Sequence, residues 1–349
     1  MTLTPITSEA ELLFQPDQPE DSVHSFSFIG GLSLVIPLRV IDLSCLSGFK
    51  DHYDTLLRHM DQIQDWEFTI VDASPDGIFA IIDDWFVHQK RVFHIRPAIQ
   101  DIPGHNNKLL SLMEALSRAQ YRYALLLDHD MRPSFQSLCA IVSRLPAYDC
   151  ARCMIHYQAL SVIGLVNVNG IFLINLLCRD KQFWGHLILN RETLLALGFP
   201  PTCTLFDELT ITRHFQKHGK RVGYFPTIII PMAYRDSLSR FFEQRLRYAY
   251  ENLAYPGRFS LFLSILPLLL ACAFISPWLS LAFFGGITCI VLGLGYVGQK
   301  RYGNGLYPPF AFLCAPLWFW PYPFTSWIAL ALYLKGGVQF GGQTIRRPA

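Results

Sequence analysis

The N-terminal part of the chain alternates short apolar runs with amphipathic segments. Four runs rich in β-branched and aromatic residues end in turn-forming residues, which predicts strands at 32–40, 67–75, 91–97 and 123–130. The clearest helical pattern between them covers 106–120. Strands that alternate with helices predict an α/β fold with a mainly parallel sheet. Ligands of such sheets bind beyond the carboxyl ends of the strands.

The C-terminal part is far more apolar. Between Arg258 and Lys300 there is no charged residue, and this length accommodates two membrane-spanning helices of about 20 residues each. The pair Ser276–Pro277 predicts the break between them. A further uncharged stretch, 302–334, is rich in Trp, Tyr and Pro. Its prolines leave two interpretations open, a third span or a bent, re-entrant or interfacial hairpin.

Composition and charge agree with a membrane protein. Hydrophobic residues make up 51% of the chain and charged residues only 16%, whereas soluble domains carry about 25% charged residues. The net charge is +2 without a basic run, so nucleic acid is not an expected partner. Positive residues flank the two predicted spans on one side, which predicts a cytoplasmic location for that side and for the preceding domain. These residues are Arg240, Arg245, Arg247, Arg258, Lys300 and Arg301. A complete third span would put Arg346 and Arg347 on the opposite side, which the same rule disfavours.

Acidic residues end two of the predicted strands. Asp72 ends one, and Asp128 and Asp130 end another, with His129 between them. In an extended chain the side chains of Asp128 and Asp130 point to one side, while His129 points away. Two neighbouring carboxylates suit a divalent cation such as Mg²⁺ or Mn²⁺, whose remaining ligands are waters and substrate phosphates. An ordinary acidic turn is the alternative interpretation.

Several motifs together resemble those of family 2 glycosyltransferases, which have the A-type fold, a Rossmann-like nucleotide-diphospho-sugar transferase domain. In chain order they are VDASPD, GHNNKLLSLMEAL, YALLLDHDMRP, GHLILNRETLLALGF, FDELTITRHFQKHGKRVGYFP and QRLRY. The last is similar to the Q-x-x-R-W motif of membrane-bound members. The tail LKGGVQFGGQTIRR resembles that of the ceramide-glucosyltransferase-like branch. The resemblance covers roughly Leu32 to Arg258 and the tail.

The resemblance implies donor-binding roles for four residues. Asp72 is expected to contact the nucleoside. Asp128 is expected near the ribose and the metal, and Asp130 is expected to ligate the metal that bridges the diphosphate. Lys108 resembles a donor-side lysine of the family, although a solvated surface lysine fits its position almost as well.

A second acidic motif is expected to supply the catalytic base. The base takes the proton of the acceptor hydroxyl as that group attacks the anomeric carbon. The segment FDELTIT matches the family's E-D-x-x-L-T block in two registers. One register makes Asp207 the base and the other makes Glu208 the base. We prefer Asp207 narrowly and retain both.

The QRLRY segment contributes three further candidates. Gln244, Arg247 and Tyr248 share one helix face by their spacing. Arg247 is expected to pair with the diphosphate or a catalytic carboxylate, and Tyr248 stands where the motif usually has tryptophan. The alternative is a basic amphipathic helix on anionic lipid, with Phe241 and Phe242 inserted into the membrane.

A fourth apolar run, 159–178, is also long enough to span a membrane. If it did, it would put the two acidic motifs on opposite sides of the membrane. The transfer chemistry needs both motifs in one place. We therefore predict a buried or membrane-surface segment.

These observations predict a membrane-anchored, metal-assisted, inverting glycosyltransferase. It would move a sugar from a nucleotide-sugar donor, most simply a UDP-sugar, to a lipid hydroxyl, with membrane lipids as further partners. The alternatives are a polysaccharide synthase, a polyprenyl-phosphate sugar transferase, and a non-catalytic membrane protein that retains the fold. The predicted organisation is a mobile tail (1–27), a catalytic domain with interfacial helices (28–258), a membrane domain of two to three spans (259–335) and a C-terminal tail (336–349).

Overall fold

A seven-stranded mixed sheet forms the centre of the computed structural model. The model describes residues 30–61, 63–178, 181–233, 238–303, 305–340 and 343–346, so the predicted tail at 1–27 lies outside the described residues. The strands are β1 (Leu32–Leu38), β2 (Trp66–Asp72), β3 (Val92–Ile95), β4 (Tyr123–Leu127), β5 (Cys150–Tyr157), β6 (His186–Asn190) and β7 (Val222–Met232). Their spatial order is β3-β2-β1-β4-β6-β5-β7.

The strand directions divide the sheet into two parts. Strands β1 to β4 are parallel to one another, as the alternation of strands and helices predicted. Strand β6 lies between β4 and β5 and is antiparallel to both, while β7 is parallel to β5. The α/β class and the four predicted strands are confirmed. The buried residues of β1 and β4 are apolar except for Ser33, as expected for central strands covered on both faces, whereas β2 also buries Glu67, Thr69 and Asp72.

Helices cover the sheet because their apolar residues recur at helical spacing. They are α1 (Phe49–Met60), α2 (Asp76–Phe86), α3 (Asn107–Arg118), α4 (Phe135–Arg144), α5 (Val162–Leu177), α6 (Arg191–Leu197), α7 (Asp207–Lys217) and α8 (Leu238–Glu251). In α3, Leu109, Leu112 and Leu116 form the buried face. The helix predicted at 106–120 is therefore confirmed, and its first residue follows an asparagine cap.

The predicted apolar run at 159–178 contains α5, a 16-residue helix that is largely buried. It packs against α10 (Pro277–Tyr302) and α11 (Ala315–Phe319). Three asparagines on this helix are buried, and the Asn169 side-chain amide donates a hydrogen bond to the carbonyl of Ala311 at 2.7 Å. Of the two predicted alternatives, the structure shows the buried segment.

The C-terminal apolar region begins with α9 (Pro256–Ile275), and Ser276 separates this helix from α10, as predicted. Among the described residues, α9 and α10 are the two helices long and apolar enough to cross a membrane, by length and composition alone. The stretch 302–334 contains no single long helix. It forms a short 3-10 turn, α11 and α12 (Pro321–Lys335). A proline lies in the first turn of each of these last two helices, which agrees with the bent alternative.

The predicted C-terminal tail at 336–349 is partly folded. Strands β8 (Val338–Phe340) and β9 (Gln343–Ile345) pair as an antiparallel hairpin. The side chains of Val338 and Ile345 are buried in the apolar cluster that includes α8. The Tyr250 hydroxyl of α8 donates to the carbonyl of Arg346 at 2.8 Å. The hairpin within this segment therefore packs against α8, and Arg347 lies outside the described residues.

Arg245 was predicted to be one of the charges at the membrane surface, and this prediction is wrong. Its side chain is fully buried. The guanidinium donates to Asn167 Oδ1 at 2.9 Å and to the Tyr322 hydroxyl at 3.3 Å. Aromatic rings including those of Phe241 and Tyr248 surround it at 4.8 and 5.0 Å. Arg245 therefore joins α8 to α5 and α12 by charge-assisted hydrogen bonds and cation–π contacts.

Two glycines of α10 provide a matched test of the α10–α5 contact. A Cβ on Gly298 would lie 2.9 Å from Phe172 Cβ and 3.2 Å from its backbone, whereas a Cβ on Gly293 meets nothing within 4 Å. We expect Gly298→Ala to destabilise the protein by about 1–3 kcal/mol through overpacking. Gly293→Ala should be neutral or slightly stabilising, since alanine is the better helix former. Thermal unfolding of the full chain in detergent measures both, and equal melting temperatures would contradict the contact.

Candidate active site

A cavity of about 340 Å³ lies at the carboxyl ends of β1 and β4. We call it the large cavity. Its volume is in the range of ligand-binding clefts. Its walls come from the end of β1, the start of α3, the turn after β4, the start of α7, and α8. All of the predicted site residues except Asp72 line it: Lys108, Asp128, Asp130, Asp207, Glu208, Gln244, Arg247 and Tyr248.

The ammonium group of Lys108 connects the two acidic motifs. Lys108 Nζ lies 2.6 Å from Asp128 Oδ1, 3.0 Å from Asp207 Oδ2 and 3.5 Å from Glu208 Oε1. Burial alone would lower the pKa of Lys108, but the three carboxylates outweigh it and hold the pKa well above its usual value. The lysine is therefore charged and partly neutralises the acidic site, so it is not the solvated surface residue of the alternative interpretation.

Asn106 places Lys108 in this position. Its side-chain oxygen accepts hydrogen bonds from the backbone N–H groups of Lys108 and Leu109, which caps α3. Its amide donates to the carbonyls of Thr204 and Leu205, both at 3.2 Å. One asparagine thus fixes the start of α3 to the segment that leads into α7.

The turn after β4 presents Asp128, His129 and Asp130 to the large cavity. The predicted strand 123–130 ends at Leu127, and the backbone N–H of Met131 closes a turn on the Asp128 carbonyl at 3.0 Å. The expectation that His129 points away is therefore wrong, because the two-residue alternation of a strand does not apply to a turn.

Two neighbours fix the shape of this turn. The Arg132 guanidinium donates to the carbonyls of His129 and Met131 at 2.7 and 2.9 Å. Gly185, with φ +83°, accepts from the Asp128 N–H at 2.8 Å, and a Cβ on it would lie 2.9 Å from Met131 Sδ. A glycine is needed here because both the backbone conformation and the space exclude a side chain.

Asp130 fits a cation ligand. Its Oδ1 is buried and has no hydrogen-bond partner among the residues that the structure describes. Burial and the neighbouring Asp128 raise the pKa of Asp130 to about 7, against the opposing effects of Arg240 and Arg132. In the described ranges no group of three or more His, Cys, Asp or Glu residues is arranged to hold a metal ion. The buried Oδ1 of Asp130, together with Asp128, could hold a cation whose remaining ligands are phosphate oxygens and water.

Asp207 and Glu208 occupy the first turn of α7 with different surroundings. Burial and the adjacent Glu208 raise the pKa of Asp207. Burial also acts to raise the pKa of Glu208, but Lys108 and Arg152 outweigh it and lower that pKa. Glu208 Oε1 additionally accepts from the Gly185 N–H at 3.2 Å. One ionised carboxylate is thus held beside the cavity, and both residues that the sequence offered as candidates for the base line it.

Helix α8 contributes Gln244, Arg247 and Tyr248 on one face, as the spacing predicted. The Tyr248 ring stacks between those of Phe206 (5.2 Å between centroids, 11°) and Trp184 (5.6 Å, 28°). Burial raises the pKa of Tyr248 to about 12, so its phenol is neutral. Tyr248 therefore forms part of an aromatic wall and does not act as an ionised base.

Asp72 lies at the predicted strand end, but its carboxylate does not line the large cavity. The side chain is fully buried. Its Oδ1 accepts from the Ser74 N–H at 2.7 Å, and its Oδ2 lies 3.1 Å from His94 Nε2. His94 also contacts Asp83 at 3.1 Å. The adjacent Ala73 does reach the cavity, so the expected nucleoside contact by Asp72 needs a rearrangement of this pair.

The sequence analysis did not identify several of the residues that line the large cavity as candidate site residues. Arg240 was considered only as a membrane-flanking charge, yet it lines the large cavity and lowers the pKa of Asp130. The sequence signal for Arg240 was its position four residues before Gln244 on the same helix face. Trp184 and Gly185 directly precede strand β6, and Gly185 is the first residue of the GHLILN motif, but nothing local links them to the acidic motifs. Asn106 was visible as a possible helix cap.

Comparison with known proteins gives structural similarities. The chain is similar to a mannosyltransferase from Pyrobaculum calidifontis in complex with GDP-mannose and Mn²⁺, with 18% identity over 88% of this chain and 76% of that one and a TM-score of 0.46. It is also similar to glucosyl-3-phosphoglycerate synthase from Mycobacterium tuberculosis in complex with Mn²⁺, UDP-glucose and phosphoglyceric acid. That match has 15% identity, covers 68% of this chain and 83% of that one, and has a TM-score of 0.44.

A third similar structure is mannosyl-3-phosphoglycerate synthase from Rubrobacter xylanophilus, with 16% identity over 60% of this chain and 70% of that one and a TM-score of 0.40. No protein-family model matches the sequence, and no curated protein matches it significantly.

Removing the Lys108 charge should destabilise the protein in a pH-dependent way. Lys108→Met leaves three carboxylates without their shared cation, which we expect to cost about 2–3 kcal/mol after allowing for partial exposure. Because the pKa of Asp207 is already raised to about 7, losing the lysine raises it further. A carboxyl group whose pKa is higher in the folded than in the unfolded protein lowers the free energy of unfolding as the pH rises. The loss in melting temperature caused by Lys108→Met should therefore be larger at pH 8 than at pH 5.5.

The matched control is Lys90→Met, since Lys90 is exposed on the surface. It should leave the melting temperature unchanged at both pH values. A Lys108 variant that melts like the control at pH 8 would mean that this lysine does not stabilise the acidic site.

Proposed function

We propose that this protein is a membrane-anchored glycosyltransferase that moves a sugar from a nucleotide-sugar, most simply a UDP-sugar, to a lipid hydroxyl. One observation carries the proposal. One cavity is lined by three groups of charged residues that are far apart in the sequence. These are the turn with Asp128 and Asp130, the Asp207–Glu208 pair, and Lys108. A donor-binding acidic pair and a separate candidate base are what single-displacement sugar transfer requires.

The donor diphosphate would lie beside Asp128 and Asp130. These two residues would hold a Mg²⁺ or Mn²⁺ ion, which offsets the charge that develops on the departing diphosphate. Arg240 and Arg247 line the same cavity and supply positive charge toward the phosphates. The nucleoside would lie toward the end of β2, near Ala73 and the buried Asp72.

The transfer step would take place between the donor and the Asp207–Glu208 pair. The acceptor hydroxyl oxygen forms a bond to the anomeric carbon as the bond from that carbon to the diphosphate oxygen breaks. One carboxylate of the pair takes the hydroxyl proton. A single displacement of this kind inverts the configuration at the anomeric carbon. Lys108 orients the pair through its contacts of 3.0 and 3.5 Å.

A lipid acceptor agrees with the position of the apolar helices. Helix α8 supplies Gln244, Arg247 and Tyr248 to the large cavity, and only a short 3-10 turn separates it from α9. Helix α9 therefore begins beside the site, and the second long apolar helix, α10, follows it directly. We propose that α9 and α10 cross the membrane and that the flanking residues Arg258, Lys300 and Arg301 keep the catalytic domain on its cytoplasmic face.

The activity test uses membranes that contain the protein, with labelled UDP-sugars and GDP-sugars supplied singly, Mn²⁺ or Mg²⁺, and a total lipid extract. We expect label in the organic phase that depends on the metal. Asp130→Asn should reduce the label by about 100-fold or more, because it removes one of the two cation ligands. Asp84→Asn, at an exposed position of α2, is the control and should retain full activity.

The alternatives give different results in the same assay. Label that stays in an insoluble polymer would indicate a polysaccharide synthase. Nucleotide-sugar binding without transfer to any lipid would contradict the proposal and favour a protein that has kept the fold without the activity.

A further inference from the structure

A second, smaller cavity lies next to the large one. Its volume is about 50 Å³, which is enough for a few water molecules or one polar head group and too small for a nucleotide-sugar. We call it the small cavity. Trp184, Phe206, Glu208 and Tyr248 line both cavities, so an aromatic wall and one carboxylate separate them. Asp207 lines only the large cavity.

Buried hydrogen-bond donors belong to three of the residues that line the small cavity. Arg152 and Asn252 are each only 3% exposed. Arg152 Nε and Asn252 Nδ2 have no hydrogen-bond partner within the described part of the chain, and neither does Nε of Arg258. Buried donors of this kind are costly unless something accepts their hydrogen bonds. Three such donors in the lining of one cavity indicate a ligand with oxygen atoms that accept hydrogen bonds.

The charges of the small cavity favour a neutral ligand over an anion. The guanidinium groups of Arg152 and Arg258 are balanced by the carboxylates of Glu208 and Glu251. Glu208 is ionised because Lys108 and Arg152 lower its pKa by more than burial raises it. A phosphate in this cavity would therefore lie beside two carboxylates, whereas an amide, ester or hydroxyl group would not be repelled.

The small cavity also has an apolar lining, most of which comes from the C-terminal helices. Phe262 of α9 and Tyr322 of α12 stack there with ring centroids 4.9 Å apart, and Trp318 of α11 and Ile174 of α5 complete the wall. The lining therefore offers an occupant both hydrogen-bond donors, from Arg152, Asn252 and Arg258, and apolar contacts, from Phe262 and Trp318. A membrane lipid makes both kinds of contact.

We infer that the small cavity binds the head group of the acceptor, and that this acceptor is a neutral lipid bearing amide, ester or hydroxyl oxygens and not a lipid phosphate. The inference rests on the proposed function. In this arrangement the acceptor hydroxyl approaches the donor beside Glu208, the carboxylate common to both cavities. Its oxygen bonds to the anomeric carbon, the diphosphate leaves, and Glu208 takes the proton.

The test combines a binding readout with a transfer readout on the purified full chain in nanodiscs. Photoactivatable ceramide, diacylglycerol and cholesterol are the neutral probes, and a photoactivatable short-chain polyprenyl phosphate is the anionic one. We expect at least one neutral probe to crosslink to the peptides that carry 248–262 or 318–322, and the phosphate probe not to do so. Crosslinking needs no turnover, so labelled peptides without sugar transfer would contradict the proposed function and leave the binding site supported.

Two variants test the donors of the small cavity. Asn252→Leu removes an unpartnered amide of similar size, and Arg258→Gln removes a guanidinium. For transfer to the crosslinking neutral lipid, each should raise the acceptor KM by about three- to tenfold, the effect expected for one lost hydrogen bond to a ligand. The nucleotide-sugar Kd, measured in the same preparation, should change by less than twofold and reports correct folding. Arg301→Gln, at the exposed end of α10, is the matched control.

Three results would overturn the inference. One is crosslinking of the neutral lipids only outside these peptides. Another is an acceptor KM that the Asn252 and Arg258 variants leave unchanged, which would mean that the small cavity holds water alone. The third is saturable crosslinking of the polyprenyl phosphate in the small cavity, which would assign an anionic acceptor.

Discussion

The contact of one ammonium group with three carboxylates determines how this site is assembled. Lys108 lies at the start of α3, Asp128 follows β4, and Asp207 and Glu208 begin α7. Without a cation between them, these acids would repel one another in a partly buried cavity. The lysine therefore stabilises the approach of three distant segments. It also leaves Asp130 available, with a buried oxygen that lacks a partner among the described residues.

Much of the fold and part of the site could be predicted because the signals are local. The apolar runs of β1, β2 and β4, the helical spacing of α3 and the Ser276–Pro277 break each depend on a few neighbouring residues. Parallel strands bring their carboxyl ends to one edge, which is why Asp128 and Asp130 could be assigned to a site. The i, i+3, i+4 spacing likewise put Gln244, Arg247 and Tyr248 on one face.

The remainder depends on contacts between residues far apart in sequence. The antiparallel insertion of β6 and the bridge from Asn106 to the 204–205 segment are not visible in any local pattern. Nothing in the local sequence distinguishes Arg245 from a surface arginine, yet its side chain is buried among aromatic rings of its own helix and of α11 and α12. His129 was misplaced because the strand ends one residue before Asp128. The small cavity likewise arises only where residues of β5, α5, α7, α8, α9, α11 and α12 meet.

The most direct measurement of the central claim is a cryo-electron microscopy structure of the full chain with Mn²⁺ and, in turn, UDP and GDP. The account predicts a metal ion in contact with Asp128 and Asp130, with the diphosphate of one of the two nucleotides on its other side. The nucleoside should extend toward Ala73. A structure at saturating nucleotide in which no metal binds this turn, or in which the nucleotide lies outside the large cavity, would contradict the account.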